Sequence, residues 1–328
     1  MGGFLALCAA ATFAFNNALA RRGVLTGSVL QAMSISVPLG LPIFLVAALF
    51  TGAFSYLPGF STQTILLLSV AGIVHFVWGR YCNYRAVKAI GSNLAGPLTE
   101  GSVLVALALA VMLLGESLTP MKVLGIILVL SGPALAVERP GKTVKAGAPP
   151  AKPSKTTFKP KYAEGYTFAL LSATGYGISP ILVRFALERS DWQASVAGGL
   201  VSYVAATLVV LAIILASGNL RHVLDVPATA SKWFGLAGLF VGLSQLLRYM
   251  ALSMAPVSVV TPIQRLSLIF RLFFSLMNRE HEVFSSRMVL GTVVSLFGAV
   301  LLSLSIDSIR HYVFVPDWLL PMFTWSWP

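Results

Sequence analysis

Apolar residues run along the chain in long blocks, unlike the alternation of strands or the narrow stripes of surface helices. Ten blocks of about 20 residues, near 2–20, 28–50, 64–84, 92–113, 121–138, 163–185, 195–216, 231–250, 257–277 and 286–306, are separated by short polar turns. A spanning helix needs about 20 apolar residues at 1.5 Å rise each, whereas barrel strands are half as long and alternate. In hydrocarbon a helix satisfies its own backbone within one segment. The pattern predicts an all-α integral membrane protein with ten transmembrane helices. The first block is expected to stay as a helix: Met1 to Ala20 carries no charge, and Arg21 and Arg22 follow the run, the reverse of a signal peptide.

Composition agrees. Hydrophobic residues make up 57% and charged residues 10%, against about 25% charged in soluble domains, and the mean hydropathy is +0.84. This excludes a water-soluble enzyme, a disordered chain, a collagen and a disulfide-stapled module. Cys8 and Cys82 sit apart in apolar segments and the four histidines are scattered, so no metal or other cofactor is expected.

The net charge of +12, from 23 Lys and Arg against 11 Asp and Glu, reads first as topology. Residues 139–162 form a Pro-rich linker holding seven basic residues between Arg139 and Lys161 and no acid before Tyr162. Assigning the loops after helices 1, 3, 5, 7 and 9 to one face places sixteen basic residues there and five on the other. By the positive-inside rule the sixteen-charge face is cytoplasmic, both termini are outside, and the protein belongs in the cytoplasmic membrane. Expected partners are membrane lipids and a small-molecule substrate, with a homodimer left open and no nucleic acid.

The sequence repeats itself. Val123-Leu124-Gly125 and Gly132 match Val289-Leu290-Gly291 and Gly298 at an offset of 166, as Glu116 matches Glu282. Tyr84-x-Ala86 matches Tyr249-x-Ala251, and Pro97 pairs with Pro262, at 165. Phe13-Ala14 and Arg21 stand opposite Tyr176-Gly177 and Arg184. Residues 1–138 and 163–306 are therefore two copies of one five-helix unit, and because five is odd the second is inserted inverted. An aromatic tail, 307–328, follows; its prolines forbid a further span. Inverted repeats are a device of secondary transporters, with the substrate site at the repeat interface near the midplane.

The segment Leu113-Leu114-Gly115-Glu116-Ser117-Leu118-Thr119, followed by Gly125 and Gly132, resembles the end of an EamA-type unit, two of which make a member of the drug/metabolite transporter superfamily. Tyr84, Ala86, Ala89 and Pro97 are similar to that family's third and fourth helices. The resemblance implies a ten-helix carrier with a cavity lined mainly by helices 1, 3, 4, 6, 8 and 9. It does not choose among metabolites, amino acids, drugs or lipid-linked sugars. Two features depart from it: members commonly keep both termini in the cytoplasm, and Asn278-Arg279-Glu280-His281-Glu282 replaces the first copy's Leu-Leu-Gly-Glu.

Ionisable groups at membrane depth need a reason, since insertion scales charge about 2.5–3.5 kcal/mol for one at a helix centre. Glu100 and Arg265 lie deep in helices 4 and 9 at nearly equivalent repeat positions, and Arg271 lies further along helix 9. They read as a buried ion pair, a gate, or both. His75, Asn16, Asn17, Tyr176 and Gln245 add polar groups on helices expected to face the cavity, and His75 is a candidate proton relay. Arg80, Arg85, Arg184 and Arg248 are expected to snorkel from helix ends. Glu116 and Glu282 precede positive helix N-termini, with Thr119 capping helix 5, and the four repeat glycines suit close packing. The expected function is a secondary transporter working by alternating access, with an anionic substrate and proton coupling favoured. A flippase for a lipid-linked sugar is the alternative, and a membrane enzyme or a non-transporting scaffold are rivals from other classes. Among enzyme motifs, HExxH, GxSxG and phosphate-cradling glycine loops are absent.

Overall fold

The computed structural model describes residues 1–90, 95, 98–99, 101–115, 119–136, 161–187, 190–276, 290–291, 293–294, 297–298, 301, 316, 318 and 320–325. Among them the regular structure is helical and no strand occurs. Six helices are long and apolar enough to cross a membrane: Gly2–Val24, Val29–Thr51, Thr62–Ile90, Tyr162–Leu187, Trp192–Ala216 and Ala228–Met254. They coincide with expected spans 1, 2, 3, 6, 7 and 8. Large apolar side chains such as Phe50, Met112 and Leu208 point outward, whereas Asn16, His75, Arg80, Gln245 and Arg248 are buried. That is the polarity of a protein solvated by lipid.

Span 1 is α1 (Gly2–Thr26). Span 2 is broken into α2 (Val29–Ser36) and α3 (Gly40–Thr51). Pro38 has no amide to donate, and the Gly40 amide turns back to the Val37 carbonyl at 3.1 Å. Span 3 runs through α4 (Thr62–Gly72), a π-helical stretch (Ile73–Gly79) and α5 (Arg80–Ile90). Two shorter helices follow, α6 (Ser102–Leu114) and α7 (Pro120–Ala136). The Thr119 hydroxyl accepts from the Lys122 amide at 3.3 Å, capping α7 as its sequence suggests. Beyond the linker come α8 (Tyr162–Leu187), α9 (Trp192–Ala216), the short α10 (Leu220–Leu224) and α11 (Ala228–Met254). The ninth expected span is broken at Arg265–Leu266 into α12 (Val257–Gln264) and α13 (Ser267–Leu276). A last turn of helix, α14 (Leu320–Thr324), touches α7.

Two expected boundaries are corrected. Spans 1 and 3 continue to Thr26 and Ile90, so Arg21, Arg22, Arg80, Arg85 and Lys88 stand in helices, not loops. The reason is amphipathicity: in α5 the face carrying Cys82, Tyr84, Ala86, Ala89 and Ile90 stays buried while Tyr81 and Lys88 face out. The helix therefore has packing to follow after its apolar block ends.

Small residues set the packing. Ala6, Ala9, Ala10 and Ala14 of α1 are fully buried, and α1 lies along α11 and also meets α12 and α13. In the same manner α8 lies along α5 and α4 and meets α6; α9 packs on α3 and α4, and α11 on α2 and α3. At the α4–α9 crossing, a Cβ on Gly72 would collide with the Ser202 carbonyl. Backbone cannot swing aside as a side-chain tip can. Gly72→Ala should therefore lower the thermal unfolding temperature, at a cost of about 1–3 kcal/mol. Gly235→Ala, where a Cβ would meet nothing within 4 Å, should not. Equal melting of the two variants in detergent would contradict this packing.

Candidate functional site

At the centre, α1, the π-helical stretch of span 3, α8, α11 and α12 surround a cavity of about 30 Å³, room for one or two waters. Its polar lining comes from His75, Tyr176, Ser244, Gln245, Arg248, Thr261, Gln264 and Arg265. A second, tighter polar recess shares Phe13, His75, Tyr176 and Gln245 and adds Asn16, Arg80, Asn83 and Tyr84. His75, Tyr176, Gln245 and Phe13 therefore form the wall between one recess holding Arg248 and Arg265 and a second holding Arg80.

Arg248 and Arg80 are met by neutral groups that the helices supply. Arg248 is 3% exposed; its Nη1 donates to Gln245 Oε1 at 2.9 Å and faces His75 Nδ1 at 3.5 Å, and its Nη2 faces Ser179 Oγ at 3.4 Å. Arg80 is also 3% exposed, and its Nη1 donates to the Ser36 carbonyl at 3.1 Å. That carbonyl is free because Pro38 diverts the Gly40 amide. The Arg80 guanidinium also lies 5.3 Å from the Phe76 ring centre. Neither arginine pairs with a described carboxylate; the ion pairs among described residues join Glu164 to Arg85 and Lys161. His75 sits on the π-helical stretch, its ring 4.6 Å from that of Tyr176. Single π turns recur at functional sites because they re-aim side chains.

The structure thus brings His75, Tyr176, Gln245 and Arg265 to one cavity and Asn16 to its neighbour. With its amide turned to satisfy both partners, Asn16 donates to the Ala237 carbonyl at 3.0 Å. Asn17 lines neither recess. Arg271 belongs to α13 and Pro262 to α12, but their side chains, like the whole of Glu100, Pro97, Glu116 and Glu282, lie outside the described residues. Gly125, Gly291 and Gly298 are buried in helices, and Gly132 stands within α7.

The expectation that Arg80 and Arg248 snorkel is overturned. Both point inward, because a broken helix and a Gln-Ser-His cluster offer them acceptors within the bundle. The repeat held a signal for this. The alignment of Tyr84 with Tyr249 also sets Arg80 opposite Gln245 and Asn83 opposite Arg248, two long polar residues three apart in each copy.

At one end of the bundle a larger cavity, about 550 Å³, is lined by Ser28, Arg85, Lys88, Lys161, Glu164, Asn219 and His222. These come from the connections after spans 1 and 7, from the last turns of span 3 and from the start of span 6, segments that the charge count assigns to one face.

The EamA-like transporter family matches the chain over residues 1–137 and again over 163–304. None of the curated proteins matches it. A solved structure described only as a crystal structure of a protein superposes with a TM-score of 0.61 at 18% identity, covering 92% of this chain and 94% of its own. That likeness concerns the fold.

Replacing a buried charge by an apolar side chain of similar volume is often stabilising, whereas removing its partner is not. Arg248→Met should raise the thermal unfolding temperature, by about 1 kcal/mol or more of stability. Gln245→Leu should lower it, because Arg248 loses its 2.9 Å acceptor. Shifts of the same sign in both variants would contradict the solvation described for Arg248.

Proposed function

The chain belongs to the EamA-like transporter family, integral membrane transporters of small molecules, and from that premise we propose that it carries a small anion by alternating access. The observation behind the choice of anion is the pair of buried guanidiniums, Arg80 and Arg248, solvated by neutral groups with no described carboxylate beside them. A cation brought to this place would meet like charge in a low dielectric, and an anion its complement.

Alternating access asks for two halves that exchange roles, and we assign them to residues 1–138 and 163–306, joined by the linker 139–162. The family's two matches support this division. So do contacts that recur at the repeat offsets. Ser172 Oγ donates to the Gly79 carbonyl at 2.9 Å, and Ser244 Oγ to the Ala9 carbonyl at 2.8 Å; Ala9 and Ser172, and Gly79 and Ser244, are equivalent positions. Gly165 closes on Ile90 as Gly2 closes on Ala255, and Gly72 meets Ser202 as Gly238 meets Ser36. The 30 Å³ cavity is too small for a metabolite, so helices must separate for one to enter, and we assign the bending to the breaks in spans 2 and 9. We place the 550 Å³ basic cavity and the linker on the cytoplasmic side and both termini outside. We take the proton as coupling ion, with His75, between the two recesses, as its carrier.

Proteoliposome uptake tests the reading. Carboxylates or phosphate esters should be carried, and Arg248→Gln should slow uptake at least tenfold, the loss expected when one interaction with a charged group goes. Arg184→Gln, at a helix end where its guanidinium binds the Leu252 carbonyl at 3.0 Å, should stay within twofold. Transport confined to cations would refute the reading. His75→Asn should abolish acceleration by an imposed pH gradient while leaving exchange intact; an unchanged gradient response would remove His75 from the coupling.

A further inference from the structure

We propose that the 550 Å³ cavity at one end of the bundle holds the phosphate headgroup of an anionic membrane phospholipid, gripped by Arg85, Lys88 and Lys161. This cavity shares no lining residue with the central recesses, and the site depends only on the protein's place in a bilayer, not on the choice of substrate. Its volume is ordinary for a bound small molecule. The walls come from the connection before span 2, the end of span 3, the start of span 6 and the connection after span 7.

Depth puts the cavity at headgroup level. Span 3 begins at Thr62, and about 20 residues at 1.5 Å each cross the hydrocarbon, which brings the helix to its far boundary near Tyr81. Tyr81 lines the cavity and is exposed, and its ring meets that of Phe168 edge-on at 6.1 Å. Trp78, three residues earlier, and Tyr162 and Tyr166, at the start of span 6, are exposed as well. Exposed tryptophans and tyrosines mark the boundary between tails and headgroups. Arg85 and Lys88 stand one and two turns beyond Tyr81 on the same helix, at the level of lipid phosphates.

The charges there are not spent on one another. Arg85 is braced by Glu164 and by the Phe168 ring, whose centre is 5.1 Å from its guanidinium. Lys161 stands 3.9 Å from the same carboxylate. Lys88 makes no ion pair or hydrogen bond among the described residues. Three cations therefore share one carboxylate, and His222 and Ser28, 2.9 Å apart, add polar groups to the lining. Basic pockets between helices suit phosphate headgroups. Packing does not require these charges: at the repeat offset of 165, Arg85 and Lys88 correspond to Met250 and Ser253, and at 166 His222 corresponds to Tyr56. The linker leading into Lys161 is itself basic, so it is no complement for the cavity. Phospholipid is the anion that a bilayer supplies at this depth.

The test places the full chain in phosphatidylcholine nanodiscs holding graded amounts of phosphatidylglycerol. The unfolding temperature is expected to rise with phosphatidylglycerol and to saturate. Lys88→Gln with Lys161→Gln keeps the Arg85–Glu164 pair and should need about tenfold more phosphatidylglycerol for half the rise. Lys88→Gln alone, which removes no contact, should shift the half-point about threefold. Lys152→Gln with Lys155→Gln takes equal charge from the linker and should melt as the parent does. Parental half-points in both Lys88 variants overturn the site, as do equal shifts in the two double variants or no rise in the parent. Glycerol 3-phosphate added to phosphatidylcholine nanodiscs should leave the melting unchanged; saturable stabilisation by it would give the cavity to a soluble phosphate ester and overturn the lipid assignment. The central arginines are untouched throughout, so none of these outcomes decides the anion-transport reading.

Discussion

A guanidinium taken out of water must be solvated by whatever faces it, and much of this structure's irregularity lies where that requirement is met. A regular helix offers no free carbonyl along its length. Span 2 is irregular at Pro38, and the carbonyl thereby released accepts from Arg80. Span 3 widens into a π-helical stretch that turns His75 toward Arg248. Gln245 and Ser179 complete the cluster from the same helix and from α8. Each departure from ideal geometry thus supplies a ligand for a charge.

Close packing is the other half of that bargain. Lipid tails are as apolar as leucine, so helices in a bilayer associate through contact and polar bonds, not through exclusion from water. The alanine face of α1 and the glycines at positions 72, 199 and 238 let backbones approach until a Cβ would not fit. Such contact excludes water from the arginine cluster, lowers the local dielectric and strengthens each hydrogen bond made to it. It also shrinks the central cavity to the size of a water or two. Tight packing and strong polar interaction therefore arise together, and a substrate can enter only if helices separate.

Block length and repeat pattern made much of this legible from sequence. Helical class and six of the spans followed from hydropathy. What hydropathy could not supply was helix length beyond the apolar block. Arg80 lies near the end of such a block, yet α5 continues for ten more residues on an amphipathic face, and the charge ends up inside. Arg248 turns inward for a related reason: beside Gln245 of its own helix it meets His75 of span 3 and Ser179 of α8, which position along the helix does not reveal. Contacts between distant segments decide which way a long side chain turns, and these have no local signature.

The two halves are related but not interchangeable, and the difference falls on the charges. Arg80 and Asn83 in span 3 stand where Gln245 and Arg248 stand in α11, so the cation occupies the earlier of two slots in one half and the later in the other. On the proposed inverted arrangement, equal slots would set the arginines at matching depths on either side of the midplane. Swapped slots break that match, and the two guanidiniums fall in separate recesses with His75, Tyr176 and Gln245 between them. On the proposed reading, an anion leaving one guanidinium would find the next before reaching water, and neither recess alone need bind it tightly. A carrier with this arrangement lowers the barrier to crossing the midplane without creating a single deep well there, because attraction divided between two places holds the substrate less firmly than the same attraction concentrated in one.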